Sequence, residues 1–228
     1  MSRLPERSSV LLASIRANEK ELELTKEQLQ QTERELKHTR RQLRQLAREH
    51  VLYRMPRKSV CAEIGVDEGE FAVKILSTVE PKRLHLVDPW RHLEDDRYED
   101  SRYGGLGGAG QAIMDNRHEE VAKRFNREVR NGQVHIHRSL SSSVYDEFED
   151  HYFDWIYLDG NHMYEFIKQD LELYYPKVKP GGRIAGDDYG AEGWWENGVQ
   201  RAVDEFVESN PGSTLQVYYT QFVIEKNS

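Results

Sequence analysis

The sequence predicts an α/β fold: a Rossmann-like, mostly parallel sheet of seven strands with helices on both faces, its last strand antiparallel, behind a long N-terminal helix. Three observations point there. From residue 59 onward, short apolar runs alternate with stretches of helical periodicity, the pattern of successive β-α units. That alternation closes on two adjacent runs, residues 215–219 and 222–225, joined by Thr220-Gln221, which reads as a reversed hairpin. Ahead of it, residues 12–50 contain no Gly or Pro and are rich in Glu, Gln, Lys and Arg, residues that favour a helix.

The helical segment carries a heptad. Ile15, Leu22, Leu29, Leu36 and Leu43 fall seven residues apart, and three positions beyond each come Asn18, Thr25, Thr32, Thr39 and Leu46. A seam of leucine and threonine predicts a helix that pairs with a second copy; a helix packed on its own domain is the other reading. Residues 1–52 are thus expected to form an arm, 53–58 a linker in which Pro56 stops the helix, and 59–228 one globular domain. Within that domain the expected strands are 60–64, 84–87, 134–137, 153–158 and 183–186, the last entered through Pro180-Gly-Gly182. Helices are expected around Phe71 and Ile75, around Val121 and Val129, around Ile167 and Leu171, and around Val199 and Phe206.

Charge separates the same two parts. Residues 1–50 hold 11 Lys+Arg and 8 Asp+Glu, or +3, and the remainder holds 32 − 11 = 21 against 40 − 8 = 32, or −11. An acidic domain argues against nucleic acid as a partner, since phosphate binding needs clustered Lys and Arg. No run approaches the roughly 20 apolar residues of a membrane span, and the six-residue run 10–15 is too short for a secretory signal. The single cysteine, Cys61, excludes an internal disulfide, and a cytoplasmic location is expected. Cys61, His135 and His137 lie within strands and are expected to be core or edge residues.

Four motifs carry chemistry. Glu63-Ile-Gly65-Val-Asp-Glu-Gly69 ends the first strand, and its glycines let backbone approach a ligand at a helix N-terminus. Asp88 closes the second strand about twenty residues later, where an acid can accept both hydroxyls of a ribose. Asp159 ends the fourth strand, and Asp187-Asp188 end the fifth. Three carboxylates meeting at one sheet edge would repel one another. A cation resolves this, and an all-oxygen set favours Mg2+, Mn2+ or Ca2+ over zinc.

These residues resemble known families. The Glu63-Ile-Gly65-x-x-x-Gly69 form resembles the first motif of class I S-adenosylmethionine-dependent methyltransferases, whose sheet also ends in a reversed hairpin. That resemblance implies that Glu63 orders the methionine end of the cofactor, that Asp88 holds the ribose, and that Ser139 lies where the adenine is contacted. The run FDWIYLDGNHMY … PGGRIAGDDYG, from 153 to 190, is similar to the D-G-x-H-x-Y … P-G-G … D-D pattern of metal-dependent O-methyltransferases of the macrocin and cephalosporin-hydroxylase-like group. It implies transfer of a methyl group to a hydroxyl of a sugar, glycoside or polysaccharide, with Mg2+ (or Mn2+) on Asp159, Asp187 and Asp188. Catechol O-methyltransferases share the layout more distantly, so a phenol is the alternative acceptor, and a cofactor-binding coiled-coil assembly protein without catalysis is the alternative of another class. Some relatives carry an acidic base where this chain has Asn161. His162 is the expected base, because imidazole accepts a proton near neutral pH and asparagine does not; a histidine capping the next helix is the other reading. The polar, glycine-rich stretch 89–111 between Asp88 and the next helix reads either as a disordered surface loop or as a lid over cofactor and acceptor, and Trp90, Tyr98, Tyr103, Trp194 and Trp195 are candidates for stacking on an acceptor.

Overall fold

The computed structural model describes residues 4–107 and 110–227, so Gly108 and Ala109 of the glycine-rich stretch lie outside the described residues. The chain divides into two compact units, one up to Gln45 and one from Leu46. No helix among the described residues is long and apolar enough to cross a membrane.

Helix α1 runs Leu4–Arg54. In the first unit its seam residues stay on the surface: Ile15, Leu22, Leu29, Leu36 and Leu43 are 44–58% exposed. The seam threonines turn their hydroxyls inward along the helix, Thr25 donating to the Glu21 carbonyl and Thr32 to that of Gln28.

The second unit contains β1 (Val60–Ile64), α2 (Glu70–Val79), β2 (Arg83–Asp88), α3 (Gln111–Arg124), α4 (Asn126–Arg130), β3 (Val134–Arg138), α5 (Ser141–Val144), β4 (Phe153–Leu158), α6 (Tyr164–Tyr174), β5 (Val178–Gly186), α7 (Gly198–Ser209), β6 (Ser213–Tyr218) and β7 (Gln221–Lys226). The sheet order is β3-β2-β1-β4-β5-β7-β6, with β1 to β5 parallel and β7 antiparallel to both β5 and β6. The predicted seven-stranded sheet is therefore the observed one. Because the chain steps outward from β1 on one side and from β4 on the other, the crevice at their carboxyl ends is the topological switch point, where open α/β sheets bind ligands.

Alternation along the strands feeds two cores. Cys61, Trp155 and Tyr157 face one layer with Phe71, Ile75, Met114 and Val121; Ala62, Ile156 and Leu158 face the other with Ile167, Leu171, Val199 and Val203. His135 and His137, on the edge strand β3, are half-buried and flank His85 on β2.

Two boundaries differ from the sequence reading. The expected linker 53–58 is helical as far as Arg54, and the helix joins the domain earlier: Ala47, Val51, Leu52 and Met55 are buried at spacings of four, one and three residues. That stripe follows the 3.6-residue period and not the heptad, which is why the end of α1 belongs to the core of the second unit. Pro180-Gly-Gly182 does not precede β5 but lies inside it. Opposite Phe153 and Trp155 stand Val178 and Arg183, so the glycines form a bulge, with Gly181 at φ 72°.

Candidate functional site

The carboxyl ends of β1, β2, β4 and β5 gather every residue singled out in the motifs except Ser139, which follows β3. The site is built from backbone outward. Gly65 has φ 91°, and a side-chain carbon there would collide with the Asp159 carbonyl, so glycine is what allows the β1 and β4 ends to close together. The Asp159 amide then donates to the Ile64 carbonyl at 2.7 Å, and the Asp187 amide to the Leu158 carbonyl at 3.2 Å. Asp159 and Asp187 are thereby set side by side at neighbouring strand ends.

On the cofactor side, Glu63 is 1% exposed, and its Oε2 has no hydrogen-bond partner. Burial, reinforced by Asp159, pushes its carboxyl pKa well up. A buried oxygen left over at the switch point is what an ammonium group of a bound ligand would satisfy. Asp88, the residue expected to hold the ribose, has partners on both oxygens within the chain. Its Oδ2 accepts from the amides of Val66 at 2.8 Å and Asp67 at 3.1 Å and from the Tyr103 hydroxyl, while Oδ1 accepts from the Trp90 amide at 2.7 Å. The acid thus ties the glycine loop to the segment after β2. Ser139 donates its amide to the Asp88 carbonyl at 3.1 Å, which puts it beside that acid.

The segment after β2 is pinned at several points. Trp90 is fully buried, and its indole donates to the Asp67 carbonyl at 2.8 Å; Arg102 pairs with Asp67 and Glu68, and Arg117 with Asp67 at 2.9 Å. Tyr98, 6% exposed, accepts from Asn161 Nδ2 at 2.8 Å. Asn161 therefore joins this segment to the Asp159 loop, a structural task that an acid at that position would not perform as a donor.

His162 lies between two carboxylates. Its Nε2 is 3.5 Å from Asp159 Oδ1 and its Nδ1 3.4 Å from Asp188 Oδ2, ion-pair distances longer than a good hydrogen bond. Burial would lower its pKa, but Asp159 and Asp188 outweigh that and hold it above the ordinary histidine value. The capping role is absent: α6 starts after Met163 with no side-chain cap, and it is Asn161 Oδ1 that accepts from the Met163 amide. The Trp195 ring stands edge-on at 4.8 Å from His162, and Trp194 and Tyr98 extend the wall at 5.6 and 5.3 Å.

Asp187 has other partners than a metal set would require. Oδ1 accepts from the Asp188 amide at 2.7 Å, from Thr220 Oγ1 at 2.8 Å and from Gln221 Nε2. Oδ2 accepts from Arg48 Nε at 2.9 Å and from Arg48 Nη2, which also donates to Asp159 Oδ2 at 2.6 Å. The three acids Asp159, Asp187 and Asp188 therefore do not fit Mg2+ or Mn2+ as a common ligand set, because a guanidinium already lies between the first two. The group that does place one ligand atom each within 4.8 Å is Asp159, His162 and Asp188. A divalent ion there would share Asp159 with Arg48, whose fixed positive charge opposes a second cation. Arg48 and Gln221 were not among the sequence-predicted site residues. Gln221, buried in what read as a turn, accepts from Tyr157 and donates to Asp187.

The profile of the methyltransferase domain family matches residues 62–189, more than half of the chain, from β1 through the Asp187-Asp188 turn. The chain belongs to that family. No curated protein matches it. Among solved structures, the methyltransferase is similar to the O-methyltransferase NovP, with 19% identity, coverage of 83% of this chain and 80% of that one, and a TM-score of 0.53. It is also similar to an O-methyltransferase from Bacillus cereus in complex with SAH, at 13% identity, 84% and 81% coverage and a TM-score of 0.50. At these identities the likeness is one of fold: a mostly parallel seven-stranded sheet whose last strand is antiparallel.

Proposed function

We propose that this methyltransferase transfers a methyl group from S-adenosylmethionine to a hydroxyl of a sugar or glycoside. The observation that carries the reading is His162, held between Asp159 and Asp188 at the switch point, one strand from the orphaned Glu63 oxygen and beside the Trp194-Trp195 wall. Bound S-adenosylmethionine supplies an electrophilic methyl on a sulfonium. Glu63 and the Gly65–Gly69 loop would hold its methionine end, and Ser139 and the loop clasped by Asp88 the nucleoside. On the acceptor side, neutral His162 would take the hydroxyl proton as that oxygen gains the methyl group, the electron pair of the broken bond staying with the donor. Asp159 and Asp188 stabilise the imidazolium that results. The indoles offer flat apolar faces to a sugar ring. Much of the remaining rate comes from holding acceptor and donor in line.

The test is incubation with labelled S-adenosylmethionine and a panel of free sugars, glycosides and oligosaccharides, with the methylated position read by NMR. Calorimetry with the cofactor alone separates donor from acceptor; absence of binding at millimolar cofactor sinks the proposal. The exposed leucine seam of α1 supports a further part of it, a homodimer paired through residues 15–43.

A further inference from the structure

Two strand ends bring Asp159 and Asp187 together whatever the ligand, so their repulsion has to be relieved by a proton or by a positive charge between them. In this chain that charge is covalent. Arg48 donates from Nη2 to both acids and from Nε to Asp187, whose side chain is fully buried. The arginine is itself held by packing. Its guanidinium lies 5.3 Å from the centre of the Phe71 ring, and the helix turns on either side bury Ala47, Val51 and Leu52. Five donors converge on Asp187: Arg48 Nε and Nη2, the Asp188 amide, Thr220 and Gln221. A carboxylate offers about four lone-pair sites, which leaves none for a metal ion. Planar, permanently charged and forked, a guanidinium suits a bridge between two carboxylates better than a lysine would.

We propose that Arg48 is the resident cation of this active site: it takes the place between Asp159 and Asp187 that a divalent ion would need, so methyl transfer needs no bound metal. Resting on the methyltransferase reading above, the inference makes Arg48 a positioning residue. It fixes Asp159, and Asp159 in turn faces His162 Nε2. The acceptor hydroxyl then meets a base set by a protein charge and not a hydroxyl acidified by a metal.

The experiment uses the full chain stripped with EDTA. Free Mn2+ is followed by EPR in wild type, Arg48→Gln and Arg48→Lys, with circular dichroism for folding and calorimetry for S-adenosylmethionine in parallel. Wild type is expected to bind no Mn2+ stoichiometrically and to keep its turnover in EDTA. Arg48→Gln is expected to bind about one Mn2+ per chain on the vacated oxygens, and its metal-free turnover to fall about 100-fold through misplacement of the base. Arg48→Lys, which keeps the charge, is expected to exclude Mn2+. One tight Mn2+ in wild type, or turnover lost in EDTA and restored by Mg2+, overturns the inference while leaving the methyltransferase reading intact. Failure to bind S-adenosylmethionine overturns that reading instead, and the wild-type EPR result then still decides the place of Arg48. Should Arg48→Gln fail to fold, wild type and Arg48→Lys carry the test.

Discussion

Asp170 and His162 are both buried ionisable groups, and their surroundings send them in different directions. Asp170, on α6, is 5% exposed and accepts from Ser141 Oγ at 2.5 Å. Burial pushes its carboxyl up to about 7, with the Ser141 hydroxyl pulling back only in part. The folded state therefore keeps a proton that the unfolded chain has released above its ordinary value of 3.8. Stability falls as pH rises through that window and is lowest above 7. At about 1.36 kcal/mol per unit, the cost at pH 8 is about 4 kcal/mol, an upper value. Asp170→Asn should then be more stable than wild type at pH 8 and should flatten the pH dependence in urea melts. For His162 the sign concerns rate. A base held above the ordinary histidine value needs a higher pH to become neutral, so turnover should rise with pH and level off only above that raised pKa. Its replacement by glutamine should remove the limb and lower turnover by about 100-fold or more, while calorimetry still shows cofactor binding.

Helix α1 serves two periods along its length. From Ile15 to Leu43 five exposed apolar residues repeat every seven, and past Leu46 the buried ones follow 3.6. The first pattern asks for a partner helix, the second for the domain's own core. If the proposed homodimer forms, replacing Leu22, Leu29 and Leu36 together by glutamate should leave a monomer in light scattering without changing turnover per chain, since each is a surface residue of the first unit. Leu52 is 1% exposed, and Leu52→Ala should cost about 2–5 kcal/mol in denaturant unfolding. Among the strands, β5 shows how local sequence is overruled. Pro-Gly-Gly reads as a turn, yet pairing of Val178 with Phe153 and of Arg183 with Trp155 draws it into the sheet as a bulge.

At the scale of the whole molecule, the boundary between arm and domain can be tested by where a truncation is tolerated. A chain starting at Leu46 should melt as wild type does. One starting at Tyr53 lacks Ala47, Arg48, Val51 and Leu52, and should melt lower and bind Mn2+ at the exposed acids. Sequence alone determined the alternation of strands and helices, the reversed last strand, the leucine seam and the positions of Glu63, Asp159 and Asp187-Asp188 at strand ends, because these depend on local periodicity and glycine chemistry. It did not determine the partners of those acids. Arg48 is one of 11 basic residues in the first fifty, on a helix where arginine is ordinary, and Gln221 sat in an expected turn. Only the tertiary structure, by bringing the end of α1 and the start of β7 to the carboxyl ends of β4 and β5, decided that the positive charge at the carboxylates comes from the chain itself. The reason is physical: a pattern along the chain records which residues are buried, whereas a counter-charge is chosen by distance through space.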